Sequence, residues 1–111
     1  MAIASPAFAA GTKNFTANFK YRRDSSDWTQ RAGTTTWFFH CTSGSGQQYS
    51  VTLYKNSIFS DKNVGSKTFT CNSTDDTGGW TNLDSGDYHF TLTKADNGVY
   101  VVGSGKVGYP N

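Results

Sequence analysis

The stretch KNFTANFKY, residues 13 to 21, places Phe15, Ala17, Phe19 and Tyr21 at every second position, with Asn, Thr and Lys between them. A period of two matches the pleat of a β-strand with one dry face and one wet face; on a helix the same side chains would spread around the axis. The period recurs along the chain. In TTTWFFHCT (34–42), Trp37, Phe39 and Cys41 share one face while Phe38 and His40 share the other, which marks a central strand covered on both sides. QYSVTLYK (48–55) turns Tyr49, Val51 and Leu53 inward, SKTFTC (66–71) pairs Phe69 with Cys71, and DYHFTLTK (87–94) aligns Tyr88, Phe90 and Leu92. VYVV (99–102) reads as a last strand and SIF (57–59) as a short segment before a turn, while NSTDDTGGWTN (72–82) reads as a loop.

Glycine, Asn and Asp clusters separate these runs, and Asn97-Gly98 is a tight-hairpin signal. No glutamate occurs and aromatics make up 15% of the residues, so composition also favours pleated surface over helix. The expected fold is all-β: one antiparallel β-sandwich of about seven short strands, immunoglobulin-like or jelly-roll-like.

Cys41 and Cys71 are the only cysteines, and neither sits in a CxxC or near a histidine at zinc spacing. Each shares its face with core aromatics, so a Cys41–Cys71 disulfide would clasp two apolar faces, as in an exported protein. Ala7-Phe8-Ala9 after Pro6 has the form of a signal-peptidase site, although Met1 to Ala4 supplies neither a basic region nor an apolar core. Residues 1–9 therefore read as a signal-peptide remnant, residues 10–111 as one sandwich domain, and the location as secreted. Ala10 to Asn14 reads as a flexible arm of the mature protein, and Ala2 to Ala9 is expected to pack on a sheet edge or in a partner's groove.

Leu83-Asp84-Ser85-Gly86-Asp87-Tyr88-His89-Phe90 resembles the tyrosine-corner segment of immunoglobulin-like domains. The resemblance implies that the Tyr88 hydroxyl bonds back to the backbone just upstream. Antibody-type domains carry a cysteine two positions after that tyrosine, where this chain has Phe90, so the resemblance extends to a sandwich with a tyrosine corner and no further.

Catalytic chemistry finds little to work with. His40 and His89 both lie inside strand patterns, G-x-S-x-G is absent, and no catalytic residue or cofactor is assigned. Asp75, Asp76 and Asp84 are the candidate calcium ligands, but the spacing of a calcium loop is missing and aspartate is an ordinary turn residue, so no metal is assigned. A net charge of +2 does not point to nucleic acid, and no run reaches the roughly 18 apolar residues of a membrane span.

Binding is the remaining class. Trp28 and Trp80 sit among polar residues, in DSSDWTQR and TGGWTN, and Tyr21, Arg22 and Arg23 form an aromatic and basic run. These five are the candidate binding residues. The expected function is a secreted, non-catalytic protein that recognises another secreted or cell-surface protein, as an adaptor subunit or an inhibitor, through loop aromatics or its N-terminal segment. The alternatives are a small carbohydrate-binding module that stacks glycan on such rings, and a secreted toxin or antimicrobial protein.

Overall fold

A computed structural model describes residues 11–72 and 74–111. The signal-peptide remnant predicted for residues 1–9, with its expected packing, lies outside the described residues. The chain forms β1 (Gly11–Phe19), β2 (Arg22–Asp24), β3 (Trp28–Gln30), β4 (Gly33–Ser43), β5 (Gln48–Lys55), β6 (Lys62–Thr70), β7 (Asp76–Leu83), β8 (Gly86–Lys94) and β9 (Val101–Tyr109). Among the described residues no helix is long and apolar enough to cross a membrane.

Two antiparallel sheets pack face to face. The first has the order β1-β9-β4-β7 and the second β2-β8-β5-β6, with β3 also on β8. Because β2 pairs with Leu92 and its neighbours while β3 pairs with Tyr88 and its neighbours, the two are one edge strand interrupted at residues 25–27. Counted so, eight strands pass from sheet to sheet at every connection except the β5–β6 hairpin, which gives the jelly-roll order and decides between the two sandwich types expected.

Three expectations need correction. Residues 76–83 are strand, not loop: β7 pairs with β4 from Phe39↔Asp76 to Thr35↔Trp80. Its glycines carry no periodic signal, because their place in the sheet is set by the hydrogen bonds of β4. The last strand begins at Val101 and runs through GSGKVGY to Tyr109, for the same reason. Gly11 to Asn14 are not a flexible arm, since they open β1 and pair with Tyr109 to Lys106.

Two inward positions of β9 are glycines, Gly103 and Gly105. A methyl at Gly103 would meet the Phe39 ring and the His40 carbonyl, and one at Gly105 would meet the Phe15 ring and the Phe38 carbonyl. Their bareness admits an aromatic layer in which Phe15 stacks on Phe39 (5.9 Å between centroids) and Phe39 on Trp37 (5.7 Å). The second sheet answers with Tyr49, Val51, Leu53, Tyr88, Phe90 and Leu92, all fully buried.

Several ties cross between the sheets. Cys41 on β4 and Cys71 just beyond β6 form the predicted disulfide, with Cα atoms 5.6 Å apart. Beside it the Tyr49 hydroxyl donates to the Asp76 carboxylate, and farther along the same edge Trp80 Nε1 donates to the Gly65 carbonyl (3.2 Å). On the opposite edge the Arg23 guanidinium donates twice to the Thr16 carbonyl (3.0 and 2.7 Å). The tyrosine corner also forms: the Tyr88 hydroxyl donates to the Asp84 carbonyl at 2.6 Å.

Candidate functional site

The hairpin joining β5 to β6 projects from the end of the sandwich opposite the disulfide. Its tip is Ile58 and Phe59, which are 91% and 93% exposed. The base of the loop is held in place: Asn56 N donates to the Asp87 carbonyl (2.8 Å), Ser57 N to Asp61 Oδ1 (3.2 Å), and His89 Nδ1–H to Asn56 Oδ1 (2.6 Å). Tyr54 stacks on the His89 ring at 5.3 Å and backs it from the neighbouring strand. A rigid stem thus carries two adjacent apolar side chains into solvent.

Beside the stem lies a cleft of about 370 Å³ lined by Arg22, Asp24, Asp27, Asn56, Asp61 and His89, together with Ser25 and Ser57. His89 faces Asp27 at 3.8 Å and Asp61 at 3.7 Å. Burial alone would raise the Asp24 carboxyl, but hydrogen bonds from Thr91 and Arg22 outweigh it and hold the group below the usual carboxylate range. Three carboxylates against one guanidinium make the cleft suited to a basic group.

The predicted site residues are dispersed. Trp28 is 6% and Trp80 7% exposed, so both rings fold into the core. Trp28 stacks between Tyr88 and Tyr109 and donates to Gln30 Oε1 (2.9 Å), while Trp80 lies under Lys67 Nζ (5.6 Å). Their polar surroundings in sequence are turned outward by strand alternation, and burial withdraws both from direct contact with a partner. Arg23 is spent on the Thr16 carbonyl, whereas Arg22 pairs with Asp24 (3.2 Å) and lines the cleft. Tyr21 is half exposed at the disulfide end, where its carbonyl accepts from Lys94 N (3.1 Å), and Val99 and Tyr100 are exposed as well.

The candidate calcium ligands do not converge. Asp75 pairs with His40 (2.6 Å), Asp76 accepts from Tyr49, and Asp84 lies at the other end of β7. Among the described residues no group of three or more His, Cys, Asp or Glu side chains is placed to hold a metal ion.

Ile58 and Phe59 were missed from the sequence. Their signal was a pair of adjacent large apolar residues between Ser57 and Ser60, adjoining the Asp61 turn and breaking the alternation that the flanking strands keep.

No family model and no curated protein matches the chain. Its backbone is similar to solved structures. One is PliG of Aeromonas hydrophila, described as a periplasmic lysozyme inhibitor of g-type lysozyme, with a TM-score of 0.53 at 14% identity over 97% of this chain and 91% of that one. Another is the carbohydrate binding module CBM6cm-2 of Cellvibrio mixtus lichenase 5A in complex with cellotriose, with a TM-score of 0.50 at 15% identity over 92% of this chain and 89% of that one. At these identities the likeness bears on the fold.

Proposed function

We propose that this chain is an exported, non-catalytic binding protein that inserts the Ile58–Phe59 tip into an apolar pocket of a partner protein. The exposure of those two side chains on an anchored stem carries the reading. Burying each of them on binding contributes on the order of 1.5 to 3 kcal/mol, enough to form a hot spot, and the stem pre-organises the tip so that little ordering entropy opposes docking. The acidic cleft at its side receives a lysine or arginine of the same partner.

Two further observations support the coarser parts of this reading. The intramolecular disulfide fits an oxidising compartment. Neighbours in fold include an inhibitor and a carbohydrate-binding module, so the scaffold serves proteins whose work is binding.

The test is affinity capture from the exported fraction of the source with immobilised residues 10–111, beside the double variant Ile58→Ser, Phe59→Ser. A specific protein should be retained by the native chain and lost from the variant, both melting at the same temperature. Equal retention by both, or no retained protein, would sink the reading. Leakage of anionic vesicles that depends on the same two residues would replace it with membrane action.

A further inference from the structure

We infer that the outer face of the first sheet is a second binding site, independent of the Ile58–Phe59 tip, and that its ligand is an uncharged polysaccharide chain. The registers set out this face in rows. Thr12, Gly108, Thr36 and Gly79 lie side by side across four strands, and the next row is Asn14, Lys106, Phe38 and Thr77. In the first row the glycines remove side chains from alternate strands, so it is a trough. The second row stands along it as a wall. Between them lies a groove of about 470 Å³ lined by Thr12, Thr36, Phe38, Thr77, Lys106 and Gly108.

The ligand class follows from the chemistry of this lining. Phe38 is half-buried on an outward position at the groove's edge, and Lys106 Nζ lies over its ring, 5.8 Å from the centroid, so a sugar that stacks on this ring takes the place of the flexible lysine side chain. Around it, among the described residues, the Thr12, Thr36 and Thr77 hydroxyls and the Asn14 amide make no side-chain hydrogen bond within the protein. A glycan presents both counterparts: the C–H face of a sugar ring packs on an aromatic ring, and its hydroxyls exchange hydrogen bonds with hydroxyls and amides. Side chains in adjacent strands are about 4.8 Å apart, close to the length of one sugar residue, so a chain crossing the strands meets a new row position with each unit.

Charge argues for a neutral chain and against the other candidates. The face carries one free cation among the described residues, Lys106, and one acid, Asp75, already paired with His40. That balance offers no field for an acidic polymer. A protein interface core would call for several Tyr, Trp, Phe, Met or Arg side chains, and among the described residues that line the groove Phe38 alone turns such a side chain outward, Trp37 being buried.

Affinity electrophoresis in gels containing hydroxyethylcellulose, xylan, a β-1,3-glucan, glycol chitin or starch tests the proposal, with polygalacturonate as the acidic control. At least one neutral polymer should retard the native chain, and added salt should not reverse it. Phe38→Ala should weaken that retardation about tenfold or more, and the near-isosteric double variant Thr12→Val, Thr36→Val about threefold to tenfold. Ile58→Ser, Phe59→Ser should retain it in full, whether or not the tip binds a protein. If Phe38→Ala fails to fold, the threonine pair decides the matter. The proposal is overturned by no retardation in any neutral gel, by unchanged retardation of the threonine double variant, or by retardation in polygalacturonate alone that salt abolishes.

Discussion

On the inward face of the first sheet, β9 offers glycine at 103 and 105, and the rings of Phe15 and Phe39 from the strands on either side occupy the space. The matching central strand of the second sheet, β8, fills its own inward positions with Tyr88, Phe90 and Leu92. The outer faces differ in the opposite sense. Hydroxyls of the second sheet are satisfied within the protein: Ser50 pairs with Thr68 (2.8 Å), Thr52 with Ser66 (2.5 Å), and Thr91 donates to the Asp24 carboxylate (2.7 Å). Those of the first sheet that line the groove stay open to solvent. One sheet spends its polar groups on stability, and the other keeps them available for a ligand, which is where a binding surface is expected to differ from a structural one.

The largest test of that contrast removes the covalent tie between the sheets. Cys41→Ala with Cys71→Ala frees a loop spanning a sequence separation of 30 residues. The cost should be about 3 to 4 kcal/mol in urea denaturation. A loss under about 1 kcal/mol would mean that aromatic packing alone registers the sheets.

Next comes the glycine strand. Gly105→Ala drives a methyl into the Phe38 carbonyl and the Phe15 ring, and should destabilise by about 1 to 3 kcal/mol. Leu92→Met on β8 conserves volume and should cost less than about 1.5 kcal/mol. If the two substitutions proved equal, the inner faces would not differ as described.

A smaller effect depends on pH. Burial first, and then the hydrogen bond to Asp76, hold the Tyr49 hydroxyl well above the ordinary tyrosine range. A folded pKa raised above the unfolded value means that the unfolded state releases its proton sooner. The contribution of this hydroxyl is therefore whole below about pH 10 and declines as pH rises beyond it. Tyr49→Phe should cost about 1 kcal/mol at neutral pH and flatten the alkaline limb of a plot of stability against pH. An unchanged limb would show that the pair does not link the sheets.

The smallest test contrasts the outer faces directly. Thr52→Val leaves Ser66 without its partner and should cost about 0.5 to 1.5 kcal/mol. Thr36→Val on the first sheet should stay within about 0.5 kcal/mol of the native chain, while still weakening glycan retardation.

Much of this fold could be read directly from the chain. Phe15, Ala17 and Phe19 are buried on one face of β1, as their spacing requires, and Trp37, Phe39 and Cys41 do the same on β4. The disulfide also follows from local pattern, because it joins positions whose faces can be assigned one strand at a time, whereas the tyrosine corner follows from the resemblance of residues 83–90 to that segment of immunoglobulin-like domains. The binding surfaces were less legible. Trp28 and Trp80 looked like loop aromatics because the period breaks around them, yet each is buried. The groove combines Thr12, Thr36, Thr77 and Lys106 from four strands that are distant in sequence, and no window along the chain contains them together.

The period of two decided that this chain is pleated, which side chains of each regular strand face inward, and which cysteine faces could meet. It is a local property, set by backbone geometry within a few residues. Sheet order, the recruitment of DTGGWTNL as β7, the burial of both loop-like tryptophans and the projection of Ile58 and Phe59 were decided by tertiary structure. Strands in register exchange hydrogen bonds and share side-chain space across sequence distances that no local pattern encodes. A glycine-rich segment becomes a strand, and a tryptophan becomes core, only when the neighbouring strand is already there to receive it.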